Sequence, residues 1–240
     1  MKMTPTKLLL IVSTLSVVFA SFTGCSLTHL QTSDRLDRGL VIVLPGIEGR
    51  SIWNVDLAQG LNDGRVDCAI EIYDWGTSIP GGFLINLAHH DRNLTMADAL
   101  SRYIVNYKTD HPGRQVHLIG HSGGAGLALM AVEKLPADMS VESITLLAVA
   151  ISPEFDLRPA LRNTSGNIYN CYSQNDSILL GAGTSLAGTI DRKYGESAGK
   201  VGFRVRANAD PQTAALYRKL RQREWKPELA RLGNDGGHFG

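Results

Sequence analysis

Cysteine is scarce in this 240-residue chain, with only Cys25, Cys68 and Cys171. Three thiols cannot form the dense disulfide framework of a small secreted scaffold. No Cys/His spacing resembles a zinc site, and no motif calls for a cofactor. Charge of one sign is missing too: 24 Lys and Arg face 23 Asp and Glu, for a net charge of +1. Without a basic stripe or aromatic-basic alternation, nucleic-acid binding has no support. Internal repeats, low-complexity tracts and a second-domain boundary are also lacking.

Long apolar runs are confined to the start. Met1–Lys7 carries two lysines, and Leu8–Ala20 is almost unbrokenly apolar. The run is short for a bilayer span, which needs about 20 apolar residues. Residues 1–24 therefore read as an export signal. Two cleavage readings stay open. Val18-Phe19-Ala20 fits ordinary signal cleavage, whereas Phe22-Thr23-Gly24-Cys25 is similar to a bacterial lipobox, with Phe22 where leucine is usual. The second is favoured, making Cys25 a lipidation site and placing the mature chain in the cell envelope on a membrane anchor. Residues 25–38 are polar and aperiodic and are expected to form a tether.

Residues 39–240 are long enough for one α/β domain with a sizeable core. Leu40–Leu44 is a continuous apolar run, as in a strand buried on both faces. Val66–Tyr73, Gln115–Ile119, Val141–Ala150 and Asn167–Tyr172 read as further strands. Helical spacing covers Asn54–Leu61, Thr95–Tyr107, Ala125–Leu135, Asp156–Arg162 and Pro211–Arg223. A last strand is expected over Trp225–Leu232. The alternation predicts an α/β fold, a mostly parallel sheet with helices on both faces. Cys68 and Cys171 lie in strand-like runs, and the sequence leaves open whether they are bonded.

The most informative residues are Gly120, His121, Ser122, Gly123 and Gly124, which fill a G-x-S-x-G template. A β-prone run precedes them and an Ala/Leu/Met-rich run follows. Strand, tight turn and helix are the setting that a nucleophile elbow needs. A serine hydroxyl is a poor nucleophile unless a base takes its proton and an acid orients the base. His238, in Asn234-Asp235-Gly236-Gly237-His238, is the only histidine C-terminal to Ser122. Asp176, just beyond Asn167–Tyr172, is the favoured acid. Asp156 is the runner-up and Asp191 a weaker choice. Two backbone N–H groups must stabilise the oxyanion. Gly123 supplies one, and Ile47, in the Leu44-Pro45-Gly46-Ile47 turn, is the expected second. His89-His90-Asp91 reads as polar sequence before a helix. Ser78–Leu87 is apolar enough to form a cap or pocket wall.

In Pro45-Gly46-Ile47, the elbow Gly120–Gly124, Asp176 and His238, the chain resembles the α/β-hydrolase family, its lipase- and esterase-like members above all. The resemblance implies the α/β-hydrolase fold and acyl-enzyme chemistry on a small-molecule or lipid ester. Family members usually continue into a helix after the histidine loop, whereas this sequence ends at Gly240. Two other functions use the same fold: a catalytically silent binding module in the cell envelope, and an acyltransferase with the same triad.

Overall fold

A computed structural model of the chain describes residues 27–76, 90–176, 189–205 and 210–238. The expected signal, Cys25, all of Ser78–Leu87 and His89 lie outside the described residues.

Six strands form one sheet: β1 (Leu40–Leu44), β2 (Ala69–Ile72), β3 (Val116–His121), β4 (Ser143–Leu147), β5 (Ile168–Tyr172) and β6 (Leu220–Glu224). Their spatial order is β2-β1-β3-β4-β5-β6, and every neighbouring pair is parallel. The helices are α1 (Ser33–Leu36), α2 (Ile52–Asp63), α3 (His90–Asp110), α4 (Gly123–Val132), α5 (Arg158–Arg162), α6 (Ala198–Val201) and α7 (Pro211–Tyr217). This is the α/β-hydrolase fold, with the expected parallel sheet.

The run Leu40–Leu44 is apolar throughout because both faces of β1 are covered. Leu40, Ile42 and Leu44 pack with Ala97, Leu100 and Ile104 of α3 and with α4. Val41 and Val43 point the other way, into a smaller cluster with Ala58 of α2, Ile70 and Ile72. Alternation along a strand sends consecutive side chains to opposite faces. Burying each such side chain contributes about 1.5–3 kcal/mol. Helix α4 is buried at all ten positions, which explains why Gly123–Val132 carries no charge.

Residues 27–38 differ from the expected tether. Leu27 and Leu30 are buried in the smaller cluster. Arg35 donates to the carbonyls of Cys68 (3.0 Å) and Val66 (2.6 Å), and the Tyr107 hydroxyl donates to Leu36 O at 2.7 Å. The segment is a 3-10 turn followed by one turn of helix. A few apolar anchors hold it, too short a run to show periodicity.

The C-terminal third also departs from expectation. Helix α7 stops at Tyr217, and Leu220–Glu224 is the last strand. Pro227–Leu232, expected as a strand, is a 3-10 helix. Strand β6 escapes sequence reading because it is an edge: its outer residues are solvated, so Leu-Arg-Gln-Arg-Glu carries no apolar alternation. Gln222 instead ties it inward, accepting from Phe203 N (2.6 Å) and Asn170 Nδ2 (3.3 Å).

Cys68 and Cys171 are free, half-buried thiols. Burial pushes both above the usual thiol pKa, so neither is an activated nucleophile.

Candidate active site

The chain leaves β3 at His121 and enters α4 at Gly123, so Ser122 alone makes the turn. Its φ is 53° and its ψ −118°. Such a conformation costs a non-glycine residue on the order of 1–3 kcal/mol and persists only where the surroundings enforce it. They do: Ser122 N donates to Leu147 O (2.9 Å), and Ser122 O accepts from Ala150 N (3.1 Å). The flanking glycines are required by contact. A Cβ on Gly120 would lie 2.4 Å from Ala125 Cα, and one on Gly124 would lie 2.1 Å from Pro45 O.

That second contact presses the turn after β1 against the start of α4. Trp75 fixes the same turn by donating Nε1–H to Pro45 O at 2.8 Å. Ile47 sits over Gly123, where a Cβ would meet Ile47 Cγ2 at 2.9 Å. The two expected oxyanion donors are therefore neighbours. The first N–H groups of a helix lack intrahelical acceptors, which suits Gly123 to an anion.

On the other side of the elbow, His238 Nδ1 is 2.6 Å from Asp176 Oδ2. The side chains are 9% and 2% exposed, respectively. A carboxylate at this distance accepts the Nδ1 proton, which leaves Nε2 as the acceptor of a neutral ring. Asp176 reaches this position through a short turn after β5, in which Asp176 N donates to Ser173 O (3.2 Å). The loop carrying His238 is anchored by Trp225, whose Nε1–H donates to Asn234 O (3.1 Å). Gly236, at φ 78°, packs so tightly that a Cβ would lie 2.7 Å from the Trp225 ring. Side-chain oxygens of Asn234 and Asp235 accept from Gly236 N and Gly237 N.

The His238 ring lies beside that of His121, the residue preceding Ser122, with centroids 4.7 Å apart. His121 Nε2 is 2.8 Å from His238 O, and His121 Nδ1 is 3.7 Å from Glu48 Oε1. Burial favours the neutral form of Glu48, but the hydrogen bond with His121 and backbone donors outweigh it, holding the carboxyl below its usual range. A cavity of about 320 Å³ borders His238, Asp176 and His121 and is also lined by Trp53, Leu57 and Tyr172.

The competing acids are engaged elsewhere. Asp156 binds Arg158 N and the Arg158 guanidinium at the exposed start of α5. Asp191 accepts from Ser152 N (3.0 Å) and Ser152 Oγ (2.6 Å). Of the other histidines, His111 pairs with Asp37 and His117 with Ser143 Oγ. Among the described residues no group of three or more His, Cys, Asp or Glu could hold a metal ion. Sequence reasoning passed over Glu48, Trp75 and Trp225. Only their closeness to glycine-rich turns marks them, and that signal is generic.

A family match agrees with this architecture. A family model described as Alpha/beta hydrolase matches residues 67–183, which include strands β2 to β5, the elbow and Asp176. Solved structures similar to the chain include esterase PE8, 17% identical, covering 84% of this chain and 85% of that one with a TM-score of 0.44. The ydeN gene product from B. subtilis is 14% identical, covering 84% and 88%, with a TM-score of 0.47. A predicted CIB-like hydrolase from Thermoplasma acidophilum is 16% identical, covering 85% and 87%, with a TM-score of 0.43. No curated protein matches the chain significantly. The family match spans residues 67–183 and is consistent with the α/β-hydrolase architecture of the sheet.

Proposed function

We propose that the chain is a serine hydrolase of carboxylic esters. The observation that carries this reading is the buried His238–Asp176 pair, whose histidine ring packs on His121, the residue preceding a serine held at positive φ. In this mechanism Ser122 Oγ attacks the substrate carbonyl carbon as His238 Nε2 takes the hydroxyl proton. Asp176 fixes the tautomer and stabilises the imidazolium. The N–H groups of Ile47 and Gly123 bind the oxyanion, each such donor lowering the barrier by about 2.7–4 kcal/mol. The tetrahedral intermediate collapses and His238 protonates the departing alcohol. Water then repeats the sequence on the acyl-enzyme and releases the acid. Serine–histidine bonds of this kind often tighten only when substrate binds.

A fluorophosphonate probe tests the reading. It should label the wild-type chain rapidly and leave Ser122→Ala unlabelled, with hydrolysis of short-chain esters lost in the same variant. The alternative reading of the same fold is a catalytically silent binding module in the cell envelope. A folded wild-type chain that neither labels nor turns over esters would establish it. Faster product formation on addition of alcohols would point instead to acyl transfer.

The N-terminal sequence supports export and acylation at Cys25. Incorporation of an alkynyl fatty acid, lost in Cys25→Ser, is the expected result. Equal incorporation by both would overturn the lipidation site.

A further inference from the structure

Three separate pieces of the chain meet at His121. Glu48 lies in the turn after β1, next to Ile47. His121 ends β3 and precedes Ser122. His238 sits on the C-terminal loop. The His121 imidazole spans the other two, with Nδ1 3.7 Å from Glu48 Oε1 and Nε2 2.8 Å from His238 O. Its side chain is 12% exposed. A carbonyl can only accept, so Nε2 carries the proton of that bond.

The geometry points to His121 as a positioning residue for His238, an inference that rests on the serine-hydrolase reading. The donor on Nε2 holds the backbone of His238, and the Glu48 carboxylate lies beside the other end of the imidazole, 3.7 Å from Nδ1. The His238 ring is then constrained at two points: its Nδ1 by Asp176 and its main chain by His121. The tilted contact of the two rings, 4.7 Å between centroids, fixes which way the His238 imidazole faces. Trp225 and the Asn234 and Asp235 side chains anchor the loop before His238, and the His121 bond holds the main chain at His238 itself. A displacement of about 1 Å at a base of this kind costs roughly 10²-fold in rate. The position between Gly120 and Ser122, open to any residue in the G-x-S-x-G template, is thereby tied to the far end of the chain.

Two substitutions separate the donor from the ring. His121→Gln keeps an N–H near the place of Nε2, whereas His121→Phe keeps an aromatic ring and loses the donor. In the full chain, His121→Phe is expected to lose about 10²-fold in kcat at nearly unchanged KM. His121→Gln should stay much closer to wild type. The downfield proton resonance of His238 Nδ1–H is a second readout that needs no turnover. It should be sharp in wild type and His121→Gln and broadened or lost in folded His121→Phe. Retention of both kcat and the resonance in His121→Phe overturns the inference, as does a loss in His121→Gln equal to that in His121→Phe. If the wild type proves inert, the hydrolase reading falls while the resonance still decides whether His121 orders His238. Should His121→Phe fail to fold, Glu48→Gln replaces it. It is expected to broaden the same resonance, and an unchanged resonance overturns the inference.

Discussion

Gly124 and Pro45 touch so closely that a single methyl group on the glycine would come within 2.1 Å of the proline carbonyl oxygen. The same methyl would lie 2.5 Å from Leu44 O. Both obstacles are backbone, and neither can swing aside as a flexible side chain would. Gly124→Ala is therefore expected to lower stability by about 1–3 kcal/mol or more, as overpacking does. It should also lower kcat, because the Ile47 turn is pushed away from Gly123. Urea denaturation and ester turnover measure the two effects. A Gly124→Ala protein as stable and active as wild type would contradict this packing.

The choice between carboxylates is open to a paired test. Asp176→Asn removes the acceptor that fixes the His238 tautomer, and kcat should fall on the order of 10³-fold or more. Asp156→Asn touches only an exposed pair with Arg158. Turnover should be unaffected, and the stability cost should be at most about 1 kcal/mol. The reverse ranking would make Asp156 the acid.

His117 gives the fold a dependence on pH away from the candidate site. Burial on the sheet pushes its pKa below the ordinary value of 6.5, with Glu142 opposing weakly. In the unfolded chain the ring returns to that ordinary value and binds a proton more readily. The stabilisation is fully present above about pH 6.5 and is lost as pH falls through the lower folded value. His117→Gln cannot titrate, so its stability should fall less steeply than wild type between neutral pH and pH 5. Parallel curves from chemical denaturation at several pH values would remove His117 as the cause.

Much of the fold could be read directly because its periods are strong. Leu40–Leu44 needed two covered faces, and Gly120–Gly124 needed a strand before it and a helix after it. The chain order of Ser122, Asp176 and His238 followed from the same template, and the structure brings the last two into hydrogen-bond contact. What escaped has physical causes. Strand β6 is polar because one of its edges faces solvent, so its helix-prone Arg, Gln and Glu concealed an extended backbone. Leu27 and Leu30 anchor the N-terminal segment through only two buried side chains, too few to show a period. Glu48 and His121 meet across residues distant in sequence, and no local pattern encodes such a meeting.

The backbone at Ser122 has a consequence for any attempt to toughen this protein. Glycine would occupy that left-handed position without penalty, so a screen rewarding heat resistance alone would tend to discard the hydroxyl. Gains in robustness must be sought away from the elbow, and selection for them has to be coupled to catalysis, or the sturdiest descendants will be inert.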